Sequence, residues 1–142
     1  MVPNTDLSSL SAIQYAVEYL EVKHIIVCGH TNCGGVATAL TNKRLGLVDH
    51  WLQNLRDVRQ RHEEELSKLA GDEQVNRLVE LNVLAQVANL RRHANIQDAV
   101  KKGLEIHALV YNVATGLLED NLNPPPVDVA AGVYALNIGG GH

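Results

Sequence analysis

An α/β fold with a mainly parallel sheet flanked by helices is predicted by three features of this 142-residue sequence. Val22 to Cys28 is a short, β-branched apolar run without alternation, which is how a strand buried on both faces of a parallel sheet reads. The run breaks at Gly29 and reopens as a helix at Cys33-Gly34-Gly35-Val36, giving the order strand, glycine turn, helix. A second strand-like run, Leu104 to Asn112, follows only after a succession of helical patterns.

Length and composition set the frame. A globule of this size buries roughly two-thirds of its unfolded surface, so one core and a single domain over residues 1–142 are expected. Apolar residues make up 46% and charged residues 20%, a globular balance; aromatics are only 4% with no Phe, so the core must be aliphatic. A net charge of −4 gives no electrostatic footprint for nucleic acid or an anionic membrane. No run approaches the roughly 20 apolar residues that span a bilayer, and Met1-Val2-Pro3-Asn4 lacks the features of a signal peptide. A soluble, cytoplasmic protein is expected. Cys28 and Cys33 are too few for a disulfide scaffold and flank a histidine, which favours a reducing compartment and metal ligation.

Taken in order, Thr5 to Glu21 reads as a helix, with Asp6, Ser8 or Ser9 as cap and Leu10, Ile13, Ala16, Val17 and Leu20 at helical spacing. After the first strand, the helix opened by Gly34 and Gly35 runs to about Leu40, and Asn42 to Leu47 is a polar connector. Val48, Trp51, Leu52, Leu55 and Val58 mark the apolar face of another helix, where Trp51 is expected to be structural. Arg59 to Ala70 is a charged face or helix joint. A long helix from Asp72 to about His93 leaves little polar surface and should be buried on more than one side. Asn95 to Gly103 is a short helix closed by glycine, with Lys101 and Lys102 placed favourably near its C-terminus.

The late strand then turns at Ala114-Thr115-Gly116 into Leu117-Leu118-Glu119, a hairpin. Pro124-Pro125-Pro126 cannot continue a central strand and marks an extended linker. Residues 123–142 read as a tail, with an edge strand at Val127 to Ile138 before Gly139-Gly140-Gly141-His142.

The chemistry-bearing residues gather at the first strand's end. His30 and Cys33 are ligand types that zinc prefers, placed three residues apart on a strand-to-helix turn, where α/β proteins hold ligands. An isolated H-x-x-C is common by chance, and the free amides at Gly34 and Gly35 would bind a small anion without metal. Both readings favour an anionic or anion-forming substrate. Cys28, inside the strand, reads as a small hydrophobe. His24, His50, His62, His93 and His107 have no ligand partner nearby in sequence and read as structural or exposed, while His142 sits on the glycine tail. No residue stands out as a catalytic acid or base.

The stretch Cys28-Gly29-His30-Thr31-Asn32-Cys33-Gly34-Gly35-Val36 resembles the β-class carbonic anhydrase family. So do Ser11 to Val17 before the strand, Asn82-Val83 with Gln86-Val87 and Asn89-Leu90 in the long helix, and Ile106-His107 to Tyr111 with Thr115-Gly116. The resemblance covers residues 1 to about 120 in consistent order and spacing. It implies a zinc cofactor that makes hydroxide available near neutral pH to attack carbon dioxide, giving bicarbonate. It maps His30 and Cys33 onto the second and third zinc ligands and places Gly34 and Gly35 at the substrate end.

The family's first ligand belongs to an earlier C-x-D-x-R motif, whose Asp and Arg control the fourth zinc position. That motif occurs nowhere in this sequence. The resemblance therefore implies a truncated member missing the first two core strands, with an incomplete zinc site, weak or absent activity, and an apolar sheet edge to be covered by another copy of the chain or a rearranged segment. Two alternatives belong to other classes: a catalytically dead paralogue acting as a scaffold or partner protein, and a redox or anion-binding module built on Cys28 and Cys33 or the helix N-terminus.

Overall fold

The computed structural model describes residues 6–122. Asp6 caps α1 (Leu7–Gln14), accepting the Ser8 N–H at 3.2 Å and the Ser9 hydroxyl. The helix widens into a π-helical turn at Tyr15–Tyr19, closed by Leu20 N–H donating to Tyr15 C=O. The sequence places one continuous helix here; the structure changes its pitch. Val17 alone of these two segments is buried, and Leu7, Tyr15, Tyr19 and Leu20 are exposed.

Strand β1 (His24–His30) leads through a tight turn into α2 (Gly34–Ala39). Then come α3 (Val48–Arg61), a break at His62, α4 (Glu63–Leu66), the 21-residue α5 (Gly71–Arg91) and α6 (Ala94–Lys101). Gly103 closes α6 at φ +100°, a left-handed conformation that suits glycine, and the Gly103 and Leu104 amides reach back to Val100 and Ala99. Strand β2 (Glu105–Asn112) turns through Gly116 into β3 (Leu117–Glu119).

The sheet order is β1-β2-β3, with β1 and β2 parallel and β2 and β3 antiparallel. His24 pairs with Glu105 and His30 with Tyr111, so the two parallel strands run in step along their whole lengths. The expected hairpin is present. Residues 123–142, with the proline linker, the predicted edge strand and the tail with His142, lie outside the described residues.

Helix α5 lies across both parallel strands and carries the core, as its all-round apolar pattern predicts. Leu78, Val79, Leu81, Val83, Val87 and Leu90 are buried with Ile106, Ala108 and Val110 of β2 and Leu52, Leu55 and Val58 of α3. Each large side chain so buried contributes about 1.5–3 kcal/mol. Close approach of α5 explains Gly29: a Cβ there would sit 2.8 Å from both Val79 Cγ1 and Val83 Cγ2.

Strand β1 is not buried on both faces, although its composition predicts that. Its burial alternates: Ile25, Val27 and Gly29 turn toward the helices, while His24, Ile26, Cys28 and His30 lie on an exposed face, Ile26 at 60%. Cys28 is accordingly exposed and not a core residue. Trp51, predicted on the buried side of α3, is half exposed. Among the described residues no helix is long and apolar enough to cross a membrane.

Candidate functional site

The turn from His30 to Cys33 is held from two sides. Thr31 donates its N–H to Tyr111 C=O at 3.0 Å, and its hydroxyl oxygen accepts the Val113 N–H at 3.0 Å, stitching the end of β1 to the end of β2. Asn32 takes the left-handed conformation, φ +55°, which asparagine tolerates better than most residues. Its N–H donates to Asn76 Oδ1 of α5 at 2.8 Å. The chain then enters α2 with Cys33 as its N-terminal flanking residue, in extended conformation.

These anchors fix the backbone that carries the two predicted ligands. His30 Nδ1 lies 3.0 Å from the Thr31 carbonyl. A carbonyl only accepts, so Nδ1 carries the proton and, in the neutral ring, Nε2 keeps its lone pair. That tautomer is the one a metal-binding imidazole adopts when its other nitrogen is held by a backbone carbonyl. Cys33 is a half-buried free thiol. Nitrogen and sulfur donors of this kind fit a zinc ion.

Trp51 completes the wall beside Cys33. At the point where a Gly35 Cβ would begin, Trp51 Cζ3 is 3.4 Å away and Cys33 Sγ is 3.9 Å away. A Cβ on Gly34 would meet nothing within 4 Å, so this side of the turn is open. Helical spacing assigns Trp51 to the same stripe as Leu52 and Leu55; the structure puts it at the margin of that stripe, against Gly35.

Among the described residues, no third His, Cys, Asp or Glu joins His30 and Cys33 to make a three-donor group. The group that does form lies at the other end of the parallel strands, where His24, Glu105 and His107 converge. The two histidines, 83 residues apart in sequence, gave no signal of this before the register of β1 on β2 was known.

A parallel strand that hands its chain through a turn bearing His30 and Cys33 to a helix, packed against a long buried helix, defines an α/β protein with that turn at the carboxyl end of the strand. Within that class, the chain belongs to the carbonic anhydrase family, whose match runs over residues 1–118. It is 48% identical over 131 residues to a carbonic anhydrase of Emericella nidulans, covering 89% of this chain and 58% of that protein. With a carbonic anhydrase of Candida albicans it shares 40% over 122 residues, covering 83% of this chain and 43% of the other.

Solved structures agree. The β-carbonic anhydrase CafA of Aspergillus fumigatus superposes with a TM-score of 0.84 at 44% identity, over 88% of this chain and 61% of that one. A structure from the work on two tetrameric β-carbonic anhydrases of Sordaria macrospora gives 0.82 at 40% identity, over 85% and 63%. The chain spans about half the length of the curated relatives it matches.

Proposed function

We propose that this chain is a zinc-binding carbonic anhydrase component whose reaction is the reversible hydration of carbon dioxide to bicarbonate, and that on its own it runs that reaction weakly. The observation that carries the reading is the braced turn, which holds His30 Nδ1 against the Thr31 carbonyl and so turns Nε2 to a ligand's role, three residues before the Cys33 thiol. His30 and Cys33 would hold the ion, with Gly34 and Gly35 at the substrate end, beside the opening next to Gly34. Zinc bound there supplies Lewis acidity that makes water nucleophilic near neutral pH.

Weakness follows from the donor count. A catalytic zinc site uses three protein ligands and keeps one open position. Among the described residues two donors are at hand, and the 142 residues contain no C-x-D-x-R to supply a third with its Asp and Arg. The residues of this chain therefore orient the metal's nearest partners and leave its hold incomplete. A reducing, cytoplasmic setting suits this reading, since Cys33 must stay out of a disulfide to ligate as the thiolate.

A second copy of the chain is the partner this reading favours. Among the described residues β1 is an edge strand, with a backbone open to pairing, and Ile26, 60% exposed, adds an uncovered apolar side chain on the sheet's open face. The Sordaria relatives are tetrameric. Light scattering of the purified chain should give a dimer or larger; a stable monomer at high concentration would remove the oligomer from this account.

The site itself is tested with cobalt(II) in place of zinc, together with a carbon dioxide hydration assay. Thiolate-to-cobalt charge-transfer absorption and slow hydration are expected, both lost in Cys33→Ser. Fast hydration in the unaided chain would overturn the weak-site reading. Absence of the charge-transfer band in a folded chain saturated with cobalt would overturn the assignment of Cys33.

A further inference from the structure

A three-donor cluster lies where the sheet begins. His24 opens β1 and pairs directly with Glu105, which opens β2; His107 follows two residues later on the same face. His24 Nδ1 is 3.1 Å from His107 Nε2, and Glu105 Oε2 is 3.8 Å from the first and 3.7 Å from the second. The imidazole rings face each other at 5.2 Å between centroids, tilted by 36°.

These separations are those of a coordination shell. Zinc bonds to imidazole nitrogen and carboxylate oxygen of about 2.0–2.2 Å put neighbouring ligand atoms of a tetrahedron roughly 3.3–3.5 Å apart. The three observed distances fall within a few tenths of an ångström of that value. The backbone already fixes the arrangement, because β1 and β2 are in register here and Glu105 N–H donates to Lys23 C=O at 2.9 Å.

We propose that His24, Glu105 and His107 form a second metal site, taking a divalent d-block cation with zinc as the first choice. Two imidazoles and one carboxylate are a ligand set that zinc and its neighbours accept. The fourth position opens to solvent, since the side chains of His24 and Glu105 are 59% and 65% exposed. Binding breaks the hydrogen bond between His24 Nδ1 and His107 Nε2: the neutral ring that donates there changes tautomer, its proton passing through solvent to its other nitrogen, so that both facing nitrogens offer lone pairs to the metal. The site is independent of the His30 and Cys33 turn: six strand residues, about 20 Å, separate His24 from His30.

The test uses cobalt(II) and zinc(II) alone, on the chain carrying His30→Ala and Cys33→Ser, so that the turn contributes nothing. One equivalent of cobalt should still bind, with a d–d spectrum and no thiolate charge-transfer band, and zinc should displace it. Adding His24→Gln or His107→Gln should weaken that binding at least tenfold. Glu105→Gln, at an exposed carboxylate where folding is not at stake, should weaken it several-fold. No cobalt bound in the His30→Ala, Cys33→Ser background, or binding unchanged by Glu105→Gln and His24→Gln, would overturn the proposal. Since the Cys33 band is read in the parent chain, either site can fail without the other.

Discussion

Asn76 Oδ1 accepts the backbone N–H of Asn32 at 2.8 Å, so the core helix α5 directly holds the turn between His30 and Cys33. The left-handed backbone at Asn32 leaves that amide without a partner in the sheet, and α5 supplies one. Asn76→Ala should cost about 0.5–1.5 kcal/mol in urea unfolding. It should also weaken cobalt binding at Cys33 by about tenfold or more, as loss of a support behind a ligand generally does. A change in stability with the cobalt affinity untouched would show that the turn holds its shape without α5.

Gly29 is set by packing. A methyl group added there meets Val79 Cγ1 and Val83 Cγ2 at 2.8 Å, and β-branched side chains on a helix have little rotamer freedom to retreat. Gly29→Ala should destabilise by about 1–3 kcal/mol. Pairing it with Val83→Ala should cost less than the two single changes together, a coupling that a double-mutant cycle measures.

Thr31 joins β1 to β2 beyond the last ladder pair, accepting the Val113 N–H on its hydroxyl oxygen. Thr31→Val keeps the shape and removes the acceptor. A loss of about 1 kcal/mol is expected, with faster amide exchange at Val113 as the local reading.

Trp51 is the sole tryptophan and stands beside Cys33 across Gly35. Its fluorescence should therefore report on the turn. Zinc should change the emission of the parent chain and leave that of Cys33→Ser unchanged. Gly35→Ala, which puts a Cβ 3.4 Å from the indole, should shift the emission without metal.

Acid should loosen the segment before α3. The Asp49 carboxyl is held below its ordinary value of 3.8, chiefly by the Leu45 N–H at 2.7 Å, with Arg56 adding a hydrogen bond and its charge. A carboxylate whose pKa is lower in the folded state contributes stability above its unfolded value, and the contribution disappears as pH falls through the folded value. The loss thus lies below about pH 4. Asp49→Asn should be less stable than the parent at pH 7 and should lose less on acidification to pH 3, seen in thermal melts at both values.

Much of the architecture is legible in the sequence, for reasons local to each segment. The apolar length of Asp72 to His93, the Gly103 stop and the turn at Ala114 to Gly116 each impose one local structure, and all three are present. The break expected at Gly29 is not: β1 runs on through Gly29, paired with Val110, to His30, because the glycine serves the close approach of α5 and not a turn. The burial of β1 is not legible. Ile25, Ile26 and Val27 have the same character, yet only alternate residues meet α5, and nothing in the run tells which face stays open. Trp51 fails for a related reason: it shares the apolar stripe of α3 with Leu52 and Leu55 but lies at its margin, against Gly35. The His24 and His107 contact depends on register between strands joined through five helices, which residue spacing does not encode.

The parallel pairing of β1 with β2 also sets a timetable for synthesis. Residues in contact across it, such as His24 and His107, are 83 positions apart. At translation speeds of about 5–20 residues per second, β1 leaves the ribosome roughly 4–17 seconds before its partner strand exists. For that interval Ile25, Ile26 and Val27 form an apolar strand whose ladder with β2 is unsatisfied, while α3 and α5 can already coil locally. Nascent chains of this protein are thus most prone to mispairing just after β1 emerges, and a chaperone that shields extended apolar segments would act there first.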